Sequence, residues 1–409
     1  MTKVRFSPGK NGESWAYFID SRRVIGVNQT GRMILDKMLN QGQGVEQIVQ
    51  ELATEYQLPL EQVKADTKAF LFSVEVELSP EVFNVTPQIQ TPFPWGVELG
   101  ITGKCNLHCL HCLQDGYGYQ MPFAEVEKAL NILAKTGVFE VSVIGGEPFV
   151  HPDIRSILRL CAHHEFAVNI VTNGTLLNEE MIQELAAMRN LAMFVSLEGL
   201  NGDHDANRGA GVFAKADWAI RKMVEAGIRV ELIFTLMATN IGRYQAVLDY
   251  GRGIGIPCNF SLFKPFRPAH QELTPTPEAF FESIVDLFHK RVDGNYDVGL
   301  SNSAIISQLL GLAPRNECRA AQSGVVIDAG GRMLPCPSLL FSGYYKGDEL
   351  PLFDENFVET WRNHPVFTEF RRNGLRGCQA RSHIFCGDVT KPDPYGEEAF
   401  VAYRAQRGI

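Results

Sequence analysis

Apolar and polar residues follow three different rhythms along this chain, and the changes of rhythm divide it. Near the start the apolar runs are short and β-prone, at residues 4–6, 15–19 and 24–27, with Gly9, Asn11 and Gly12 marking a turn. A helical rhythm follows. Val45, Ile48, Val49, Leu52 and Tyr56 share one face at i, i+3, i+4 and i+7 spacing, and further helices flank them at 30–39 and 60–72. A small sheet with three helices predicts a winged-helix-like α+β unit over residues 1–79. Residues 80–95 carry Pro80, Pro87, Pro92 and Pro94, a density that breaks regular structure and predicts a linker.

Beyond Trp95 strand and helix patterns alternate. Strands are expected at 97–101, 140–144, 167–172, 193–196, 229–236 and 259–263. Amphipathic helices lie between them, one with Val126, Leu130 and Leu133 on a face, another with Ala216, Ile220 and Met223. A longer helix is expected over 277–290. Six βα units in succession predict an α/β fold with a parallel sheet, best read as a partial (β/α)6 TIM-type barrel over residues 96–300. Spacing alone leaves a flat, doubly wound sheet open. Residues 301–409 lose the alternation, hold four cysteines and a short helix near 357–363, and predict a small metal-stapled domain.

Composition narrows the function classes. The 409 residues are 45% apolar and 21% charged, ordinary for a globular protein. No apolar run approaches the roughly 18–20 residues needed to span a bilayer, and no secretory h-region follows Met1, so a cytoplasmic protein without a membrane partner is expected. A net charge of −9 argues against a nucleic-acid surface, which needs clustered cations. Residues 1–85 hold nine Lys and Arg against eleven Asp and Glu, which disfavours DNA as the target of the winged-helix-like unit. Nine cysteines in a reducing compartment read as metal ligands plus buried thiols.

The segment Cys105-Asn-Leu-His-Cys109-Leu-His-Cys112 has the spacing C-x3-C-x2-C and follows the first barrel strand. Active sites of parallel βα folds sit at that end of the sheet. Three thiolates on a tight loop can hold three corners of a cubane cluster and leave one iron open; with His108 or His111 as fourth ligand, they could instead hold zinc. Gly145-Gly146-Glu147-Pro148 follows the second strand, its glycines allowing close backbone approach to a ligand. Thr172-Asn173-Gly174 follows the third, and Ser196-Leu-Glu198-Gly199 the fourth.

In these segments and their order the chain resembles the radical S-adenosylmethionine superfamily. The resemblance implies a [4Fe-4S] cluster with an open iron site on Cys105, Cys109 and Cys112. It implies S-adenosylmethionine bound by Gly145, Gly146, Glu147 and Pro148, by Asn173, Ser196 and Glu198, and by His111. Relatives usually have Ser-x-Asp-Gly where this chain has Glu198, one methylene longer. The chemistry implied is reductive cleavage to a 5′-deoxyadenosyl radical, which takes a hydrogen atom from the substrate, with electrons from a donor such as flavodoxin or ferredoxin.

Cys318, Gly331 and Cys336, then Cys378 and Cys386, resemble the SPASM/twitch extensions of radical enzymes that modify peptides and proteins. Arg381 and Thr390 stand near positions where the longer pattern has cysteines, so one auxiliary iron–sulfur cluster is implied on these four cysteines, with zinc or an incomplete site as alternatives. Of the other two cysteines, Cys161 reads as a core thiol. Cys258 reads as a buried thiol or as a cavity-facing hydrogen donor of the kind some radical peptide epimerases use. The amino-terminal unit is similar to leader-peptide recognition elements of ribosomal peptide maturation. There a precursor's leader adds a strand to the third strand of the sheet and packs on the third helix, here Arg23–Val27 and from Val63 to Phe70. The whole implies a maturase acting on a ribosomally made precursor peptide, with an intramolecular crosslink (thioether, C–C or ether) as the expected product. An epimerase, a sulfatase-maturating or small-molecule radical enzyme, and an iron–sulfur sensor with a winged helix remain alternatives.

Overall fold

The computed structural model describes residues 3–8, 13–21, 23–78, 91–112, 118–266, 268–300, 303–311, 318–373 and 377–407. The turn expected at Gly9, Asn11 and Gly12, and Pro80 and Pro87 of the expected linker, lie outside these. The chain forms two compact units, Met1–Thr86 and Pro87–Ile409.

In the first unit β1 (Val4–Pro8), β2 (Ser14–Phe18) and β3 (Arg23–Val27) form an antiparallel sheet in the order β1-β2-β3. The third strand is therefore an edge. Three helices follow: α1 (Gln29–Leu35), α2 (Val45–Tyr56) and α3 (Leu60–Leu78). The Asn28 side chain caps α1 by accepting from Gly31 N at 2.8 Å, leaving one orphan amide satisfied. The single helix expected over 30–39 instead ends at Leu35 and widens into a π-helical turn, Asp36–Asn40. That turn delivers Asn40 to the backbone of Val4, whose N–H and C=O it bonds at 3.1 and 2.9 Å. Ile48, Val49 and Leu52 of the expected apolar face are buried against Val63 of α3.

The second unit is built on one sheet. Its six central strands are β4 (Gly96–Thr102), β5 (Glu140–Gly145), β6 (Ala167–Thr172), β7 (Leu191–Ser196), β8 (Arg229–Leu236) and β9 (Cys258–Leu262). They are parallel and lie in sequence order. Right-handed crossovers in unchanging order put every connecting helix on one face, which distinguishes a rolled sheet from the doubly wound alternative. The alternation then has a clear meaning. Val97, Leu99, Val141, Val143, Val168, Ile170, Met193 and Leu232 belong to the core with the helices. Their neighbours Glu98, Ser142, Asn169, Phe194, Glu231 and Asn259 point to the other side, the interior of the partial barrel.

The sheet has nine strands rather than six. β10 (Val298–Leu300) pairs parallel with β9, β11 (Gly324–Ile327) pairs parallel with β4, and β12 (Met333–Leu334) pairs antiparallel with β11. The expectation of a separate domain over 301–409 is corrected by this pairing. Leu339, Phe357, Trp361, Phe367 and Phe400 from that stretch are buried in the same core as the barrel strands. Runs of two to four residues carry too little periodicity to be read as strands. Among the described residues no helix is long and apolar enough to cross a membrane.

Candidate active site

The cysteine loop leaves β4 at Thr102 and is braced from the next strand. Gly146 N donates to Thr102 O at 2.8 Å and Glu147 N to Lys104 O at 2.9 Å. A Cβ on Gly146 would lie 2.4 Å from Lys104 O and 2.7 Å from Gly103 O, and one on Gly145 would lie 2.4 Å from Thr102 O. Both glycines are thus demanded by the loop's own backbone. Pro148 opens a 3-10 turn and is buried. The buried Glu147 carboxylate accepts from Thr172 Oγ1 at 2.7 Å, Asn173 N at 2.7 Å and Phe149 N at 3.1 Å. Burial raises its pKa against those bonds. It ties the second strand's loop to the third's.

Asn173 turns toward the cysteines, its Nδ2 donating to Asn106 Oδ1 at 3.0 Å and lying 3.9 Å from Cys105 Sγ. Leu107 N donates to Cys105 Sγ at 3.4 Å. From the other side, helix Gly202–Arg208 holds the loop, with Leu110 N donating to Asn207 O at 3.0 Å. Asn207 Nδ2 donates to His111 Nδ1 at 2.6 Å, and His111 Nε2 faces Glu198 Oε1 at 3.7 Å. Burial holds the His111 pKa down, against the pull of Glu198. Through Asn207 and Glu198, the His111 ring braces the cysteine loop.

Glu198 is almost wholly buried and paired with Arg208 through two nitrogens, Nη2 donating to Oε1 at 2.8 Å and Nε to Oε2. Burial pushes the Glu198 carboxyl up, but the Arg208 charge and hydrogen bonds, with smaller effects from His111 and His204, hold it down at about 2. Arg208 Nη1 lies 3.7 Å from Cys109 Sγ. The longer side chain of Glu198 therefore orients a cation against a cluster thiol. His204, fully buried, accepts from Glu198 N at 3.2 Å through Nδ1, and burial lowers its pKa to about 4. Ser196 ends β7 on the interior pleat with Phe194. Arg208 was not among the residues expected from sequence. Its signal was indirect: a carboxylate at a buried strand end needs a cation, and Arg208 follows ten residues later on the next helix.

The thiols of Cys105, Cys109 and Cys112 are half-buried and act on one another electrostatically. Burial pushes Cys109 up to about 11, with Arg208 opposing. Three sulfurs on one loop, receiving N–H groups and a guanidinium, suit the thiolates of an iron–sulfur cluster. Among the described residues no three His, Cys, Asp or Glu side chains close on a point as they would around one metal ion. A cubane, with a separate iron for each thiolate, asks for a wider set than zinc does.

A second thiol group forms where residues 318–386 meet the barrel. Cys318, Cys336 and Cys378 act on one another and on Lys264, just beyond β9. Burial first, then the neighbouring thiols, pushes Cys318 up to about 12. A cavity of about 370 Å³ is lined by Cys318, Cys336, Lys264, Glu98, Glu140 and Ser142, among others. Cys386 ends helix Gln379–Cys386, about 12 Å of helical rise from Cys378, and its Sγ donates to Pro392 O at 3.7 Å. Arg381, where the longer pattern has a cysteine, is buried and paired with Asp393 at 2.5 Å. Cys258 is corrected. It shares the outward pleat of Phe260 and Leu262, is 1% exposed, and donates to Val247 O at 3.6 Å in the helix layer. A thiol turned away from the interior is no hydrogen donor to a substrate there.

Comparisons with known proteins agree with this geometry. Residues 99–244 match the Radical SAM superfamily and residues 16–74 match Coenzyme PQQ synthesis protein D (PqqD). The chain is 28% identical over 296 residues to the mycofactocin maturase MftC of Mycobacterium ulcerans (strain Agy99), covering 69% of this chain and 79% of that protein. It is 25% identical over 257 residues to the antilisterial bacteriocin subtilosin biosynthesis protein AlbA of Bacillus subtilis (strain 168), covering 60% and 55%. The crystal structure of Streptococcus suis SuiB bound to S-adenosylmethionine shares the fold, with a TM-score of 0.69 at 16% identity over 90% of this chain and 89% of that one. With the C-x3-C-x2-C loop at the mouth of a partial barrel over residues 99–244 and a PqqD-like unit over 16–74, the chain is similar to radical SAM enzymes that mature peptides.

Proposed function

We propose that this enzyme modifies a ribosomally made precursor peptide, recognising its leader through the PqqD-like unit and forming an intramolecular crosslink in the barrel. The observation that carries the reading is the presence of both units in one chain, at residues 16–74 and 99–244. The relatives support it. Two are named for maturation or biosynthesis of such products, and SuiB has been crystallised with its precursor peptide SuiA. The edge position of β3 supports strand addition by a leader at Arg23–Val27, with Val63 to Phe70 of α3 beside it. A cavity of about 300 Å³, lined by Ile34, Leu52, Val63 and Phe70 among others, would take a leader's apolar side chain.

Cys105, Cys109 and Cys112 would hold the four-iron cluster, which when reduced supplies the electron that cleaves S-adenosylmethionine. The protein's part is placement. Arg208 sets a positive charge beside Cys109, on the side of the loop where S-adenosylmethionine would meet the cluster. Gly145 to Pro148, Asn173 and Ser196 line the C-terminal ends of β5, β6 and β7, where that cofactor would lie. The interior below is polar. Asn169 Nδ2 donates to Ser142 Oγ at 3.1 Å, and Asn169 Oδ1 is buried with no hydrogen-bond partner among the described residues, an acceptor suited to a peptide amide. Cys318, Cys336 and Cys378 would hold one auxiliary cluster of the twitch kind, and a low-potential donor such as flavodoxin or ferredoxin would supply electrons.

The test is anaerobic incubation of the reconstituted enzyme with S-adenosylmethionine, a reductant and the short peptide encoded beside the gene, followed by mass spectrometry. Loss of a hydrogen pair from the peptide is expected. Unchanged mass with deuterium uptake from solvent would make the product an epimer. A peptide unchanged in both respects would refute peptide maturation.

A further inference from the structure

Lys264 stands at a junction that the chemistry described so far does not use. It follows β9 at the interior end of the barrel, half-buried, and lines the cavity shared by Cys318, Cys336 and Glu98. Among the described residues it forms no ion pair with a carboxylate; it shares the cavity wall with Cys318 and Cys336, and those two thiols and Cys378 act on its charge. The neighbouring cations are differently placed. Arg319 is paired with Glu140 at 2.7 Å, and Arg381 with Asp393. A half-buried cation with no carboxylate in ion-pair contact is favoured where some other negative charge lies beside it. An iron–sulfur cluster on these thiolates carries net negative charge, and charge and hydrogen bonding near the sulfurs set its potential.

We propose that Lys264 is the counter-charge of the auxiliary site, a positioning residue that favours the reduced cluster and faces it toward the barrel interior. The proposal rests on the auxiliary-cluster reading above. Reduction adds one electron, here from a low-potential one-electron donor, and makes the cluster more negative by one charge. A fixed ammonium group stabilises that state over the oxidised one, most strongly where water is scarce. Glu98, on the same cavity wall, is the group whose opposing charge Lys264 also offsets.

The full chain is reconstituted with Cys105, Cys109 and Cys112 replaced by Ala, so that only auxiliary iron remains, and titrated with dithionite under electron paramagnetic resonance. The same background then carries Lys264→Met or Lys264→Arg. The expected result is about four irons per chain in all three proteins, a midpoint moved to lower potential by Lys264→Met, and a midpoint restored toward the parent by Lys264→Arg. An unmoved midpoint with iron retained overturns the role of Lys264 alone. Absence of iron from the parent background overturns the auxiliary cluster itself, and the proposal with it. If Lys264→Met loses iron while Lys264→Gln keeps it, the midpoint of the Gln protein decides by the same criterion.

Discussion

Arg208 forks onto Glu198, Nη2 donating to Oε1 at 2.8 Å, and its remaining terminal nitrogen lies 3.7 Å from Cys109 Sγ. Both charged side chains are nearly excluded from solvent, so neither tolerates losing the other. Replacing Arg208 by Ala strands a buried carboxylate, at a cost of about 3–5 kcal/mol. Thermal unfolding should show that loss, and reductive cleavage of S-adenosylmethionine should fall with it. The double variant Glu198→Gln/Arg208→Met should regain much of the stability without the cleavage, which separates folding from placement of the cation.

Gly146→Ala tests the brace on the cysteine loop. The added methyl would lie 2.4 Å from the Lys104 carbonyl, so the loop or the strand end must move. Iron bound at the first site should drop sharply while the far-ultraviolet circular dichroism is unchanged. Full iron loading and normal cofactor cleavage would show that the loop accommodates the methyl group.

Cys258→Ala should leave peptide conversion within about twofold of the parent, because the thiol packs against the helix layer. Its stability cost is that of a small core truncation, about 1 kcal/mol. Loss of turnover with substrate radical chemistry intact would restore the hydrogen-donor role.

Arg381 and Asp393 make a buried staple where a longer cysteine pattern would place a metal ligand. Asp393 also accepts from Cys378 N at 2.9 Å and from Tyr395 N at 3.0 Å, so one carboxylate fixes the turn that carries the Cys378 thiol. Asp393→Asn should destabilise the chain by about 3–5 kcal/mol and strip iron from the auxiliary site first. Iron counts that fall equally at both sites would assign the pair a general structural role.

Removing residues 1–86, a compact unit by itself, should leave uncoupled cleavage of S-adenosylmethionine near the parent rate. Peptide conversion should fall by roughly tenfold or more as the effective concentration of substrate is lost, and the excised unit added in trans should restore part of it. Equal conversion with and without the unit would make it a bystander.

Local signals carried a large part of this protein. Helical spacing around Val45–Tyr56, the alternating βα pattern and the C-x3-C-x2-C loop are short-range regularities, and each specifies its element or ligand type before any tertiary contact forms. The radical chemistry was legible for that reason. What the tertiary structure decided depends on which distant segments meet. The short strands β10, β11 and β12 exist because a sheet edge receives them, so residues 301–409 join the barrel instead of standing apart. The pleat of β9, which buries Phe260 and Leu262 outward, sends the Cys258 thiol with them. Eight residues of helix hold Cys386 away from Cys378, a separation that a linear count of cysteines does not contain. The Arg208–Glu198 fork and the place of Lys264 on a cavity wall with Cys318 and Cys336 are of the same kind. Each pairs groups far apart in the chain or on different elements, and burial, which only the folded chain creates, makes those pairings strong.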